Sequence, residues 1–194
     1  IQTFSSTIRR KEMDAVLTCM VDEKTGPGEL NTRLIQAVKE ATGCDGAVAF
    51  RSAAIALSYA LKALDLPVAT PIMISALAPS WQYAAIESLG YQPLVLDVSE
   101  ESGLVTADLV AEGMKAGGRL LLLHETMGIL PELEQITTLG VPVIEDISHS
   151  FGAALTPAAD EDADNAQKKA EQKPKAAGSF GVYAIMGLEE FDTI

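Results

Sequence analysis

The chain has 194 residues, of which 48% are hydrophobic and 21% charged, a composition typical of a globular domain. Its 27 acidic residues outnumber its 14 basic residues, which gives a formal net charge of −13. This charge argues against nucleic acids and anionic membranes as partners, because both are bound by clustered Lys and Arg. Two cysteines without metal or redox spacing, too few histidines for a His-rich metal site, and no membrane-spanning apolar run predict a soluble, cytoplasmic protein.

Hydrophobic periodicity predicts two N-terminal helices, over residues 9–21 and about 30–41, the second of which ends before Gly43. Short apolar runs then alternate with helical patterns. The predicted strands cover 46–50, 71–75, 93–97, 119–124, 141–146 and 179–185, and the predicted helices 52–64, 79–89, 106–116 and 131–139. Strands that are apolar on both faces and joined by helices predict an α/β fold, a three-layer sandwich around a mostly parallel sheet.

Residues 156–177 interrupt this alternation, since the tract contains no apolar residue larger than Ala. Such a segment cannot bury enough surface to offset the entropy lost when it becomes ordered. We therefore expect one α/β domain over residues 1–194 that carries a low-complexity, mobile insertion at 156–177. A short surface helix in the tract is the alternative.

Two adjacent carboxylates, Glu145 and Asp146, follow the short apolar run 141–144. In open α/β sheets, ligands bind beyond the carboxyl ends of the parallel strands. An acid at this position can hold a cationic nitrogen of a ligand, with His149 three residues further on. The alternative is structural, in which Asp146 only caps the turn that follows the strand.

The order of short motifs resembles that of the DegT/DnrJ/StrS-type sugar aminotransferases, pyridoxal-phosphate enzymes of the aspartate-aminotransferase fold. The resemblance covers nearly the whole chain and corresponds to the N-terminal part of the family's large domain. Five elements carry it: Arg51-Ser-Ala-Ala-Ile-Ala-Leu57 (the family's Ser-Gly-Thr-x-Ala-Leu), Tyr91-Gln-Pro-Leu-Val-Leu-Asp97 (Gly-x-x-Pro-x-x-x-Asp), His124-Glu-Thr-Met-Gly128 (His-x-x-Gly), Ile144-Glu-Asp-Ile-Ser-His149 (Ile-Glu-Asp-x-x-His/Gln), and Gly178-Ser-Phe-Gly-Val-Tyr183 (the strand before the Schiff-base lysine).

The resemblance implies a pyridoxal or pyridoxamine phosphate site. Asp146 would pair with the protonated pyridine nitrogen and keep the ring an electron sink, with His149 near the cofactor. The helix N-terminus at Ser52, Ala53 and Ala54 would receive the phosphate. In this alignment the family's Gly-Thr has become Ala53-Ala54, which removes one hydroxyl ligand of the phosphate and adds a methyl group.

Two further positions depart from the family pattern. Ala184 stands where the family has a second phosphate-binding hydroxyl, and Pro79 stands where it has the aromatic residue that stacks on the ring. Trp81, two residues away, could substitute as the stacking residue, and a buried core tryptophan is the alternative.

The Schiff-base lysine is missing from its expected position. Counting on from Tyr183 places Glu189 there, and the last lysine in the sequence is Lys175. A carboxylate cannot form an aldimine, although Glu189 could transfer protons. Some family members act as dehydratases with His in place of this lysine and use the amine form of the cofactor.

Three functional hypotheses follow. In the first, the chain is a degenerate, non-transaminating family member that binds the cofactor non-covalently at most. In the second, it is an active aminotransferase or dehydratase of nucleotide-linked amino sugars, which uses non-covalent pyridoxamine phosphate or a lysine from another chain. In the third, it is a structural half-domain that assembles with a partner. The resemblance also implies a homodimer and a nucleotide-sugar ligand.

Overall fold

The computed structural model of the protein describes residues 8–155 and 174–188. Its helices are α1 (Arg10–Val21), α2 (Glu29–Thr42), α3 (Ala53–Ala63), α4 (Ser80–Ser88), α5 (Ala107–Lys115) and α6 (Leu133–Thr138), with a single 3-10 turn at Thr126–Gly128. Its strands are β1 (Pro71–Ser75), β2 (Gln92–Leu96), β3 (Leu120–His124), β4 (Val143–Asp146), β5 (Ala154–Leu155), β6 (Lys175–Ala176) and β7 (Tyr183–Ile185).

The six predicted helices are confirmed, with ends within two residues of the predicted ones. Local chemistry explains where α2 ends and where α3 begins. Gly43 ends α2 in the left-handed conformation, at φ 73°, which glycine adopts without a steric penalty. Ser52 caps α3, where its hydroxyl oxygen accepts a hydrogen bond from the Ile55 N–H at 3.4 Å.

Five strands form one sheet in the order β2-β1-β3-β4-β7, and every pairing within it is parallel. The predicted α/β fold is therefore confirmed. Strand β3 lies at the centre of the sheet, and its leucines alternate between two hydrophobic clusters. Leu120 and Leu122 pack on the side of α3 and α4, whereas Leu121 and Leu123 pack on the side of α5 and α6. An almost pure leucine strand fits this position because both of its faces are buried.

One predicted strand and two predicted boundaries were wrong. Residues 46–50 form no strand, and Val48 is 74% exposed, because no described strand lies alongside to pair with their backbone groups. The last predicted strand, 179–185, is reduced to β7, since residues 178–181 form a turn instead. The predicted mobile tract ends too late, because β6 pairs with β5 in an antiparallel ribbon and Ala177 is buried. Residues 156–173 of that tract lie outside the described residues.

The two N-terminal helices contribute almost nothing to the core. Helix α1 buries none of its residues, and α2 buries only Thr42. No helix within residues 8–155 and 174–188 is long and apolar enough to cross a membrane.

Candidate functional site

A polar pocket lies at the carboxyl edge of the sheet, where β3 and β4 end and α3 begins. The parallel pairings bring the ends of the strands to this one edge. The pocket is lined by Ala53, Pro79, Trp81, His124, Asp146, Ser148, His149 and Gly187. These residues come from five separate segments of the chain, so the pocket is a product of the tertiary fold.

Asp146 is 1% exposed, and neighbouring groups surround its carboxylate. Oδ2 accepts a hydrogen bond from Gln82 Nε2 at 2.5 Å and lies 3.0 Å from His124 Nδ1. Oδ1 accepts hydrogen bonds from the backbone N–H and the hydroxyl of Ser148, at 3.2 and 2.5 Å. The contact with the carboxylate assigns the proton of His124 to Nδ1. These four contacts hold one negative charge in a fixed orientation at the pocket.

Ser148 joins the pocket to the segment that follows β7. Its hydroxyl donates to Asp146 and accepts a hydrogen bond from the Gly187 N–H at 2.8 Å. Because the Cα atoms of Asp146 and Ile185 are also paired in the sheet, the segment 185–187 is held against the end of β4. Gly187 thereby forms one wall of the pocket.

The pocket brings together four of the residues singled out in the sequence. Asp146, Ala53, Trp81 and His149 all line it, and the ring of His149 meets that of His124 edge-on at a centroid distance of 5.0 Å. Trp81 also packs against the core cluster on the side of α3 and α4, so its structural role and its place in the pocket coexist.

The other predicted residues do not line this pocket. Ser52 caps α3, and the carbonyl of Ala54 accepts a hydrogen bond from the Ser58 hydroxyl. Ala184 is exposed on β7, where its Cα is paired with that of Glu145. Glu189, the predicted occupant of the lysine position, lies outside the described residues.

Sequence reasoning missed Gln82 and Ser148, two side chains that orient Asp146. Gln82 is fully buried on α4, and nothing in the helical pattern separates it from a solvent-facing polar residue. Ser148 carried a usable signal, because a hydroxyl residue two positions after an Asp at a strand end is typical of a hydrogen-bonded turn. His124 was part of a motif, but its contact with Asp146 depends on the register of β3 against β4.

Glu145 faces the opposite side of the sheet from Asp146, because successive side chains of a strand alternate. It is fully buried and accepts three backbone hydrogen bonds from the turn 178–181. Oε2 accepts from the Gly178 N–H at 2.9 Å, and Oε1 accepts from those of Phe180 and Gly181 at 2.7 and 2.5 Å. A Cβ on Gly181 would collide with the Val143 carbonyl oxygen, so only glycine allows this approach.

Glu125, directly after β3, is a second fully buried acid on that side. Its Oε2 accepts a hydrogen bond from the Ser150 hydroxyl, and the register of β3 against β4 places it on the same face of the sheet as Glu145. Burial raises the pKa of Glu125 to about 8, against the opposing effect of the Ser150 hydrogen bond, and the charges of Glu145 and Asp146 raise it further. Glu125 is therefore neutral at pH 7.

Residues 6–186 match the model of the DegT/DnrJ/EryC1/StrS aminotransferase family. The chain belongs to this family. The family predicted from the five short motifs is thus confirmed. Family membership concerns the fold and the descent of the chain.

Solved structures of other DegT-family and related aminotransferases share the fold. TlmJ, an aminotransferase from Streptoalloteichus hindustanus, is 20% identical with a TM-score of 0.82, over 99% of this chain and 49% of its own. The PLP form of Spr1654, a putative sugar aminotransferase from Streptococcus pneumoniae, is 14% identical with a TM-score of 0.81, over 99% and 50%. DesI, solved in the presence of its TDP-sugar product, is 16% identical with a TM-score of 0.77, over 97% and 45%. The chain therefore spans about half the length of these proteins.

Three features of the described pocket are of the kind that a pyridoxal-type cofactor would contact. A buried carboxylate lies at the pocket, an indole ring forms one wall, and Ala53 at the start of α3 forms another. None of the described residues that line the pocket is a lysine. The ammonium of Lys175 lies instead over the ring of Phe180, 4.0 Å from the ring centroid.

Proposed function

We propose that this chain is a non-transaminating DegT-family protein that binds pyridoxal or pyridoxamine phosphate reversibly at Asp146. The observation that carries the proposal is the pocket itself, which has a buried, oriented carboxylate and no lysine among the described residues of its lining. The PLP form of a structural relative supports the choice of ligand. Glu189, at the position where the resemblance places the Schiff-base lysine, supports the loss of Schiff-base chemistry.

Three parts of the chain would bind the cofactor. Asp146 would hold the pyridinium nitrogen, Trp81 would cover the ring, and the N-terminal turn of α3 would receive the phosphate. Asp146 Oδ2 already has two neighbouring donors, Gln82 and His124, so a ring nitrogen would have to compete with them. The bound cofactor would supply an electron sink.

Weak affinity is expected at the phosphate end. The backbone N–H groups of α3 and the helix dipole remain available to an anion there. However, Ala53 and Ala54 offer no hydroxyl, and Ala184 is exposed on β7 outside the pocket lining. The proposal therefore places most of the specificity at the nitrogen end, at Asp146.

An active enzyme is the second candidate, an aminotransferase or dehydratase of nucleotide-linked amino sugars. Two observations favour it: the TDP-sugar product in whose presence DesI was solved, and His149 in the pocket as a group able to transfer protons. This candidate needs pyridoxamine phosphate held non-covalently, or a lysine from another chain. Turnover of an amino donor separates it from the first proposal.

Reduction of a mixture with pyridoxal phosphate tests the leading proposal. After borohydride treatment and peptide mass spectrometry, we expect no dominant modified residue, with any adducts spread over surface lysines such as Lys62 and Lys115. Pyridoxamine phosphate should bind reversibly in a calorimetric titration, and Asp146→Ala should weaken binding by roughly 1.5–3 kcal/mol, the usual contribution of a hydrogen bond to a charged group. Asp97→Ala, at an exposed acid, is the matched control.

Two results would overturn this assignment. One stoichiometric imine on a single lysine, together with measurable transamination, would favour the active enzyme. If neither cofactor form binds, the proposed ligand is wrong, and the structural half-domain hypothesis is favoured instead.

A homodimer belongs to the same proposal. Met13, Val16 and Leu17 on α1 are each more than half exposed, and an apolar helical face in water is stabilised by contact with a second surface. We expect light scattering to give the mass of a dimer, and Leu17→Glu to shift it towards the monomer, with Thr18→Glu as the control. A monomer over a wide range of concentrations would contradict this.

A further inference from the structure

The carboxylate of Asp146 has no acceptor position left for a ligand. A carboxylate accepts about four hydrogen bonds, two on each oxygen. Oδ1 accepts two from Ser148, through its backbone N–H and its hydroxyl. Oδ2 accepts one from Gln82 Nε2 at 2.5 Å and lies 3.0 Å from His124 Nδ1. A ligand N–H that approaches this carboxylate must therefore displace one of the chain's own donors.

Gln82 is the donor that a ligand in the pocket does not displace. His124 and Ser148 line the pocket, so after displacement they can bond to water there. Gln82 is fully buried on α4 and is not among the lining residues. If its N–H left Asp146, a buried donor would lose its partner, at a cost comparable to the hydrogen bond that the ligand gains. Gln82 therefore keeps its position on Oδ2 when the pocket is filled.

Packing does not explain an amide at position 82. The other buried residues of α4 are Ala85 and Ile86, and Gln82 Oε1 has no hydrogen-bond partner within the described residues. A buried oxygen without a partner lowers stability, and an apolar side chain of the same length would avoid that loss. Within the same residues, the side chain of Gln82 bonds only to Asp146. Its effect is therefore exerted on that carboxylate.

We infer that Gln82 is a specificity-determining residue, which lowers the affinity of the pocket for a cationic ring nitrogen by occupying Oδ2 of Asp146. This inference rests on the proposed function, in which such a nitrogen pairs with Asp146. With Gln82 in place, the ligand bonds to Oδ2 only by displacing His124. Without Gln82, Oδ2 can accept from both His124 and the ligand, which are again two donors on one oxygen.

Calorimetric titration of the whole chain with pyridoxamine phosphate tests the inference. Gln82→Met removes the donor and keeps an unbranched side chain of similar length. We expect it to bind the ligand about tenfold more tightly than the wild type, close to the contribution of one hydrogen bond to a charged group. Gln82→Leu is a second apolar variant with the same expected gain. Gln135→Met, at an exposed glutamine, is the matched control and should bind as the wild type does.

A second ligand separates the acceptor on Asp146 from other effects of the substitution. In this analogue of pyridoxamine phosphate, a C–H group replaces the ring nitrogen, so the ring has no N–H to donate. Its affinity should be the same for the wild type and Gln82→Met. An equal gain for both ligands would mean that the substitution reshapes the pocket, and it would overturn the inference.

The outcomes distinguish this inference from the proposed function. If the wild type binds pyridoxamine phosphate and both apolar variants bind it equally or more weakly, the inference is wrong and the proposed function stands. Binding by the variants alone would support the inference and contradict cofactor binding by the wild type. If none of these proteins binds the ligand, both are wrong. Loss of the folded state in both variants, measured by urea unfolding, would show that stability requires the amide, and it would also overturn the inference.

Discussion

The ends of β3 and β4 carry similar sets of residues on the two faces of the sheet. On the pocket face, the side of α3 and α4, His124 contacts Asp146, and Ser148 bonds the same carboxylate. On the turn face, the side of α5 and α6, Glu125 and Glu145 are both fully buried, and Ser150 bonds Glu125. Each face thus has a residue at the end of β3, an acid of β4 and a serine from the following turn.

The partners of the two β4 acids differ in kind. Asp146 is surrounded by donors of which His124 and Ser148 border the pocket, so a ligand can exchange with them. Glu145 is bonded to backbone N–H groups, and its other neighbour is a second acid. Backbone donors cannot turn away towards solvent as side chains can. We infer that the pocket face serves recognition, whereas the turn face serves the position of the chain around it.

The largest difference between the faces should appear when each acid is removed. Glu145→Ala leaves three backbone donors without an acceptor, and we expect it to lower the free energy of unfolding by about 3–5 kcal/mol. Asp146→Ala should lower it by roughly half as much, because donors that border the pocket can bond to water. Urea unfolding followed by circular dichroism measures both, with Glu132→Ala as the exposed control. Equal losses in the free energy of unfolding for the two variants would contradict this difference between the faces.

The pH dependence of stability should come from the turn face. The pKa of Glu125 is about 8 in the folded protein and 4.5 as its ordinary value, so between these pH values only the folded chain keeps the proton. The contribution of Glu125 to the free energy of unfolding must therefore fall as pH rises through this window, by about 2–3 kcal/mol from pH 5 to pH 7.

Glu125→Gln isolates this contribution. The variant should match the wild type near pH 4.5 and become progressively more stable than it up to about pH 8, as measured by urea unfolding across the range. The other titrating groups are the same in both proteins, so the difference between the two curves reports Glu125. A constant difference across the window would contradict a raised pKa of Glu125 in the folded protein.

The smallest of the three effects should come from Ser148. Ser148→Ala removes a donor to Asp146 and the acceptor of the Gly187 N–H, and we expect a loss of about 1–2 kcal/mol. Faster hydrogen exchange at Gly187, with unchanged exchange at Gly181, would show that Ser148 and Glu145 hold the two ends of segment 178–187 separately. The control is Ser88→Ala, at an exposed serine of α4. A uniform increase in exchange over both residues would mean that segment 178–187 opens as one unit.

The sequence by itself determined the layers of the fold and the family. Alternating strands and helices, and leucines buried on both faces of β3, follow from periodicity, which is a local property of the chain. The position of Asp146 at the carboxyl edge of the sheet followed from its place at the end of a short apolar run. The strand predicted at 46–50 does not form, because a strand exists only where another strand pairs with it. Periodicity, as a local property, does not report that pairing.

Only the tertiary structure decided what the two acids of β4 do. Their adjacency was visible in the sequence, but their partners come from positions as distant as Gln82 and Gly178, brought together by the register of the sheet. The raised pKa of Glu125 likewise could not be predicted from the sequence. Burial is the main cause of this raised pKa and the nearby charges of Glu145 and Asp146 add to it, and both arise only when β3 and β4 lie side by side.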